Sequence, residues 1–238
     1  LSRNGGGGWG GRLSVASPIP RGRGMASSTA DILGAVAAAG LALGRPVEPE
    51  AIARIGLNVE PSDGTIFPGV VLFDHRGGRL LKPLGPPPPL HIVVLDFGGE
   101  VDTIEFNRVD RSALLRSLEP RAAEAAALVE TGIREGDTAL IGEGATLSAL
   151  AHQQVLYKPY LEPVLALVRE TGGVGVCVGH SGTVVGVLLD PRQRSREEVA
   201  RFLKGRLPGI ERVFLVSLIG GGYRPWSEEV DDTAATGD

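Results

Sequence analysis

The densest chemistry in the chain lies at Pro20, Arg21, Gly22, Arg23, Gly24, Met25, Ala26, Ser27, Ser28 and Thr29, followed by Ala30 and Asp31. Glycines let a backbone approach an anion closely, and the opening N–H groups of a helix have no partner inside it. Together with the helix dipole these groups attract phosphate, and Ser27, Ser28 and Thr29 add three hydroxyls. Arg21 and Arg23 are expected to neutralise phosphate charge, and one of the hydroxyls can instead ligate Mg²⁺. A Ser/Thr N-cap ahead of a core helix accounts for the serines alone. It leaves two glycines and two arginines unexplained. No Gly-Lys-Ser/Thr completes a Walker A loop, and no G-x-G-x-x-G leads from one parallel strand towards another.

Two further segments carry candidate chemistry. Glu60 and Asp63 bracket Pro61-Ser62 and precede Gly64. A carboxylate near a phosphate can hold Mg²⁺ or accept the proton of an attacking hydroxyl, although Asp-Gly is also ordinary turn chemistry. Gly179, His180, Ser181, Gly182 and Thr183 separate two apolar runs. Ser181 can donate there to a phosphate or a carboxylate, but a plain two-glycine hairpin looks the same. His180 is the histidine that falls in a motif, while His75, His91 and His152 read as incidental. Cys177 reads as a small core residue.

The elements that must position these groups follow from pattern. Ser27 to Leu43 is expected as a helix ending at Gly44, apolar all round and so packed on more than one face. Pro49 to Leu57 is a second helix with proline in its first turn. Val70 to Asp74 is a strand, Leu80 to Pro83 pairs back on it, and residues 85–89 (GPPPP) form a stiff connector. Beyond residue 90 the expected order is strand His91–Phe97, then helices Arg111–Gly132, Asp137–Val155 and Tyr160–Thr171. Strands Val174–Val178 and Thr183–Leu189, helix Ser195–Lys204 and strand Val213–Leu218 complete it. That β-α-α-α-β-β-α-β order predicts an α+β fold, with helices on an antiparallel sheet.

Composition sets the outer limits. Against 28 acidic residues stand 24 Lys+Arg, a net charge of −4, which argues against nucleic acid as a partner. The longest uncharged apolar run, residues 32–44, falls short of the roughly 20 residues that span a bilayer. A single cysteine excludes an internal disulfide and any multi-cysteine zinc site. These counts suit a soluble protein of a reducing compartment. Eight of the 35 glycines fall within the first 24 residues, so residues 1–17 are expected to be a disordered leader. Leu13–Ser17 is a possible strand end, and residues 223–238 are expected to fray.

The run PIPRGRGMASSTADI resembles the second signature of the GHMP kinases, the family of galactokinase, homoserine kinase, mevalonate kinase and phosphomevalonate kinase. Its wording is similar to the branch that phosphorylates L-threonine. The same branch is resembled by Glu60–Phe67 with Leu72–His75, and by Gly179–Gly186, in the same order. The resemblance implies a two-part fold, with the remainder of an ATP-binding domain at 18–84 and a C-terminal domain at 90–222. It implies ATP wrapped by Pro20–Thr29, Mg²⁺ on Ser28 and Glu60, catalysis by Asp63 and Glu60, and the 179–183 loop closing over substrate and phosphates. The implied activity is cytoplasmic phosphorylation of L-threonine to O-phospho-L-threonine for cobalamin synthesis. Homoserine or another small alcohol is the alternative acceptor. Relatives carry strands before the phosphate loop, and the few glycine-rich residues there in this sequence lead one to expect those strands to be absent or replaced, so an inactive ATP-binding fragment is also open.

Overall fold

The computed structural model describes residues 2–3, 9–101, 106 and 108–225. The part of the expected tail from residue 226 onward lies outside the described residues. Strands β1 (Ser2–Arg3) and β2 (Trp9–Gly10) form a short antiparallel pair, within the segment expected to be a leader. Residues 13–17 form no strand: among the described residues no sheet offers a partner ladder for their N–H groups.

Helix α1 (Ser27–Ala42) begins and ends almost where its sequence does, and Gly44 closes it in the left-handed region at φ 67°, as a glycine after a helix end should. Its packing differs from expectation. Thr29, Leu33, Ala37 and Gly40 are its buried residues, a single stripe at helical spacing. Leu33 and Ala37 share a cluster with Ile52 and Ala53 of α2 (Pro49–Val59) and with Ile66 and Phe67 beyond it. Leu41 and Leu43 stay exposed. The helix is therefore covered on one face, because α2 and the turn after it are the elements that reach it. A hairpin of β3 (Val70–Phe73) and β4 (Leu81–Gly85) adds Val71, Phe73 and Leu81 to the same cluster.

The second half is built on a four-stranded antiparallel sheet. Its strands are β5 (His91–Asp96), β6 (Gly175–Val178), β7 (Val185–Leu189) and β8 (Arg212–Ser217), in the order β6-β7-β5-β8. Val93 faces Val187 on one side and Leu215 on the other. Val93, Leu95, Val185, Val187 and Leu189 share the main core with α5 (Leu161–Thr171) and α6 (Arg196–Arg206). Helices α3 (Ser112–Glu135) and α4 (Thr138–His152) form a hairpin whose turn is fixed twice. Gly136 ends α3 at φ 69°, and the Asp137 carboxylate accepts from the N–H groups of Ala139 and Leu140 at 2.8 and 3.2 Å.

The two halves are fused rather than strung together. Leu90, Ile133 and Ile141 bury Val70 and Leu84 of the hairpin with Leu218, and Gly69 bridges to Gly221. The chain passes through Gly85–Pro89 straight from β4 to β5.

Helix α4 lies against β6 with almost nothing between them: a Cβ on Gly142 would sit 2.0 Å from the Val174 carbonyl oxygen. Gly142→Ala should destabilise the protein by about 1–3 kcal/mol in urea unfolding, despite alanine's better helix propensity. An unchanged midpoint would mean that α4 sits farther from the sheet.

Candidate active site

The three sequence motifs open onto one cleft of about 870 Å³. Arg21, Gly22 and Gly24 to Thr29 line one side, and Gly179, His180 and Ser181 line another. Glu60 and Asp63 lie on its wall with His75 and Arg108. Four expected site residues are absent from this lining: Pro20, Arg23, Gly182 and Thr183.

Arg23 points away from the cleft, contrary to its expected role on phosphate. Its guanidinium sits 3.6 Å from the Asp96 carboxylate and 3.7 Å from that of Glu211, and it donates to the carbonyl of Gly99. Asp96 is fully buried at the end of β5, where it also accepts from Arg212 at 3.0 Å and from the Gly98 N–H at 3.0 Å. A buried carboxylate needs such partners. Arg23 thus ties the first loop to the C-terminal sheet. Its own backbone carbonyl accepts from the N–H of Thr183 at 3.1 Å.

The glycines of the two loops serve the same end. Gly24 has φ 80°, and a Cβ there would meet the Gly182 Cα at 2.7 Å. A Cβ on Gly182 would fall 2.1 Å from the Arg23 carbonyl oxygen, and one on Gly179 would fall 2.7 Å from that of Gly24. Backbone lies on backbone. These glycines are required by loop-on-loop contact as well as by room for an anion.

Beyond this contact α1 begins. Ala26 precedes it at φ 58°, ψ 32°, a left-handed conformation that costs a non-glycine residue about 1 kcal/mol or more. Among the described residues no side chain caps the first turn, and no acidic residue lies within it. Its N–H groups and the Ser27 and Ser28 hydroxyls therefore face the cleft as donors. Across it, Glu60 ends α2. A hydroxyl and a carboxylate of this kind are hard oxygen ligands, which suit Mg²⁺ held jointly by protein, water and phosphate. Among the described residues no three His, Cys, Asp or Glu side chains are arranged as a dedicated metal cage.

Asp63 precedes the short 3₁₀ turn Gly64–Ile66. Partial enclosure pushes its carboxyl above the ordinary carboxylate value, and His75 opposes the shift. Burial likewise pushes His75 below the ordinary imidazole value, with Asp63 pulling the other way. His75 and His152, which read as incidental from sequence, both lie beside His180. The His75 ring lies 4.5 Å, edge to face, from that of His180, and the His152 ring lies 5.8 Å from it. Phe106 closes on His180 at 5.5 Å. Isolated histidines at the start of a turn and at the end of a helix carry no sequence signal of meeting. Only the shared apposition to the 179–183 loop brings them together.

Gly182 and Thr183 line a smaller cavity of about 110 Å³ behind that loop, with Phe97, Tyr160 and Lys158. Phe97 and Tyr160 stack there at 3.9 Å. Cys177 lies half-buried in β6, and burial of its thiol raises it to about 11.

A phosphate-type loop leading into a helix, held against an antiparallel α+β half by a glycine turn, is the architecture of the GHMP kinases. Residues 2–68 match the GHMP kinases N terminal domain and residues 125–209 the GHMP kinases C terminal domain, and the chain belongs to this family. It is 38% identical over 196 residues to the L-threonine kinase of Salmonella typhimurium, covering 82% of this chain and 64% of that protein. A homoserine kinase of Deinococcus radiodurans is 25% identical over 189 residues, covering 76% and 61%. The chain thus spans less than two thirds of the length of these relatives. Among solved structures, MDDEF in complex with MVAPP, AMPPCP and magnesium aligns over 86% of this chain and 68% of its own, with TM-score 0.61 and 16% identity. That likeness concerns the fold. Among the described residues no helix is long and apolar enough to cross a membrane.

Two variants test the site as built. Gly182→Ala should push the loops apart, costing about 1–3 kcal/mol and opening the bond after Arg23 to trypsin. Full resistance to trypsin would mean that the loops are not in contact. Because Asp63 has a raised value in the folded state, its proton is bound more tightly there than in the unfolded chain. The associated stability is present below the ordinary carboxylate value and is lost as pH rises through the raised one. Asp63→Asn should therefore raise Tm at neutral pH, and the gain should vanish in acid.

Proposed function

We propose that this chain is an ATP-dependent kinase that phosphorylates the side-chain hydroxyl of L-threonine to O-phospho-L-threonine, in the cytoplasm and in the service of cobalamin synthesis. The observation that carries the reading is the placement of an uncapped helix N-terminus and a carboxylate of raised pKa on one cleft. The similarity to L-threonine kinases supports the acceptor. The weaker similarity to a homoserine kinase supports homoserine as a second acceptor.

In this reading the loop from Pro20 to Thr29 holds the phosphates of ATP. Backbone N–H groups at the start of α1 and the Ser27 hydroxyl bind phosphate oxygens, and Arg21 adds positive charge at the rim. Ser28 and Glu60 hold Mg²⁺, which supplies charge neutralisation on the phosphate oxygens when bound. Asp63 accepts the proton of the acceptor hydroxyl as its oxygen attacks the γ-phosphorus and the bond to ADP breaks. Partial burial suits it to this, since a carboxyl with a raised pKa is a stronger base nearer working pH. Ser181 and the N–H groups of the 179–183 turn close over the transferred group. Most of the acceleration then comes from alignment and charge neutralisation.

The test is ADP release by the purified 238-residue chain with ATP and Mg²⁺, in the presence of L-threonine, L-serine or L-homoserine. Asp63→Asn should lower kcat by about 10²–10⁴-fold with little change in KM for ATP. The wild-type rate should fall on acidification with an apparent pKa above the ordinary carboxylate value. ATP binding with no acceptor-dependent turnover would make the chain a nucleotide-binding fragment instead.

A further inference from the structure

Among the described residues, four buried side-chain atoms have no hydrogen-bond partner, His75 Nε2, His91 Nδ1, Lys158 Nζ and Thr183 Oγ1, while the buried His152 ring has only the His180 backbone within reach. All except the His91 atom flank the loop 179–183, His75 with His180 on the cleft and Lys158 with Thr183 in the cavity behind it, and Lys158 is near enough to act electrostatically on His152 and His180. The rings of His75 and His152 lie on either contact of His180, Thr183 belongs to the loop, and Lys158 shares the small cavity with Gly182 and Thr183. Unpaired buried polar groups are expensive, and native proteins keep few of them. Several in one place point to a ligand.

Lys158 is the firmest member. Only 4% of the residue is exposed. Its backbone is clamped twice by the neighbour of His152: the Lys158 N–H donates to Gln153 Oε1 at 2.7 Å, and Gln153 Nε2 donates to the Lys158 carbonyl at 3.0 Å. The ammonium therefore occupies a built position. The rings, the ammonium and the hydroxyl all have protons to give, and an ammonium has no acceptor at all. A set of donors is completed by an oxygen-bearing anion.

Position narrows the anion. Asp63 acts electrostatically on His75, so the cluster begins beside the carboxylate assigned to the acceptor hydroxyl. In a hydroxy amino acid, the groups within a few bonds of that hydroxyl are an α-ammonium and an α-carboxylate. The buried Lys158 ammonium repels a second ammonium and attracts the carboxylate. The charges facing the cluster are otherwise cationic, with Arg76 acting on His75 and His180 and Arg111 on His152, while Asp63 and Asp74 act on His75. Burial and the neighbouring cations bring His152 and His180 down to about 4, so without ligand the rings stay neutral near pH 7 and do not repel one another.

Resting on the kinase reading, we propose that His75, His152, His180 and Lys158 form the subsite that receives the α-carboxylate of the acceptor. The site then selects hydroxy amino acids over simple alcohols, because an acceptor without a carboxylate leaves the buried donors unpaired.

Calorimetric titration of the full chain, with a non-hydrolysable ATP analogue present and absent, tests this with L-threonine, L-threoninamide and inorganic phosphate. Wild type should bind L-threonine about tenfold or more tightly than the amide. Lys158→Met and His152→Phe should bring that ratio towards one while binding the ATP analogue normally. Removal of an unpaired buried ammonium should also raise the ligand-free Tm by about 2–4 °C, whereas a structural lysine would lower it. Equal binding of acid and amide by wild type overturns the proposal, as does no binding of L-threonine or an unchanged ratio in both variants. Phosphate binding that is lost in Lys158→Met, without a carboxylate preference, overturns it too. Failure to bind the ATP analogue is read separately, and counts against the kinase assignment alone.

Discussion

The site depends on one contact, the backbone of Arg23-Gly24 lying on the backbone of Gly179 and Gly182. No side chain fits between these strands of chain, since Cβ atoms there would fall within 2.1–2.7 Å of backbone atoms. The contact fixes where α1 starts relative to His180. Arg23 holds it from behind, through a carboxylate that has no access to water. Such an anchor is asymmetric. Asp96 with Arg23 and Arg212 is satisfied, but Asp96 with either arginine removed keeps a buried charge that lacks part of its compensation. The arginine reads from sequence as a ligand for substrate charge, and its work here is on the protein's own buried charge.

This division explains what the sequence revealed and what it hid. Helices with long apolar stripes and strands rich in Val, Ile and Leu were legible because their periodicities are local. So were the antiparallel α+β order of the second half and the three motifs, whose glycines, hydroxyls and carboxylates are unusual in combination. The single-sided burial of α1 was not legible, because an Ala/Gly-rich helix looks alike on every face and only α2 decides which one is covered. The direction of Arg23 was hidden for a related reason. Its partners lie 73 and 188 positions further along, at Asp96 and Glu211. His75 and His152 were dismissed because meeting at His180 is a property of the fold alone.

Several features of the cleft cost stability where they stand. Ala26 is held left-handed, Asp63 is enclosed enough to resist ionisation, and the buried Lys158 ammonium has no hydrogen-bond partner among the described residues. None helps the empty protein fold. Each has a use once a ligand arrives: the turn at Ala26 aims the first N–H groups of α1, the enclosure raises the basicity of Asp63, and the unpaired ammonium gains a partner. Features that oppose folding persist where the surrounding structure over-determines them.

The chemistry of the two ends of the cleft follows from what each lacks. The α1 end has neutral donors and a dipole but no buried cation, which suits a highly charged ligand that arrives with its own metal. The His180 end has rings kept neutral by desolvation, with the buried ammonium of Lys158 behind the 179–183 loop, which suits a singly charged group delivered without one. Asp63 belongs with His75 on the wall common to both. A carboxylate in that position is drawn on by His75, which favours its charge, and by enclosure, which opposes it; enclosure is the larger effect. A ligand anion beside His75 would draw a proton onto the ring and strengthen the favourable interaction. Filling the acceptor end would then lower the cost of an ionised Asp63, so that the base becomes fully competent only when there is a hydroxyl for it to deprotonate.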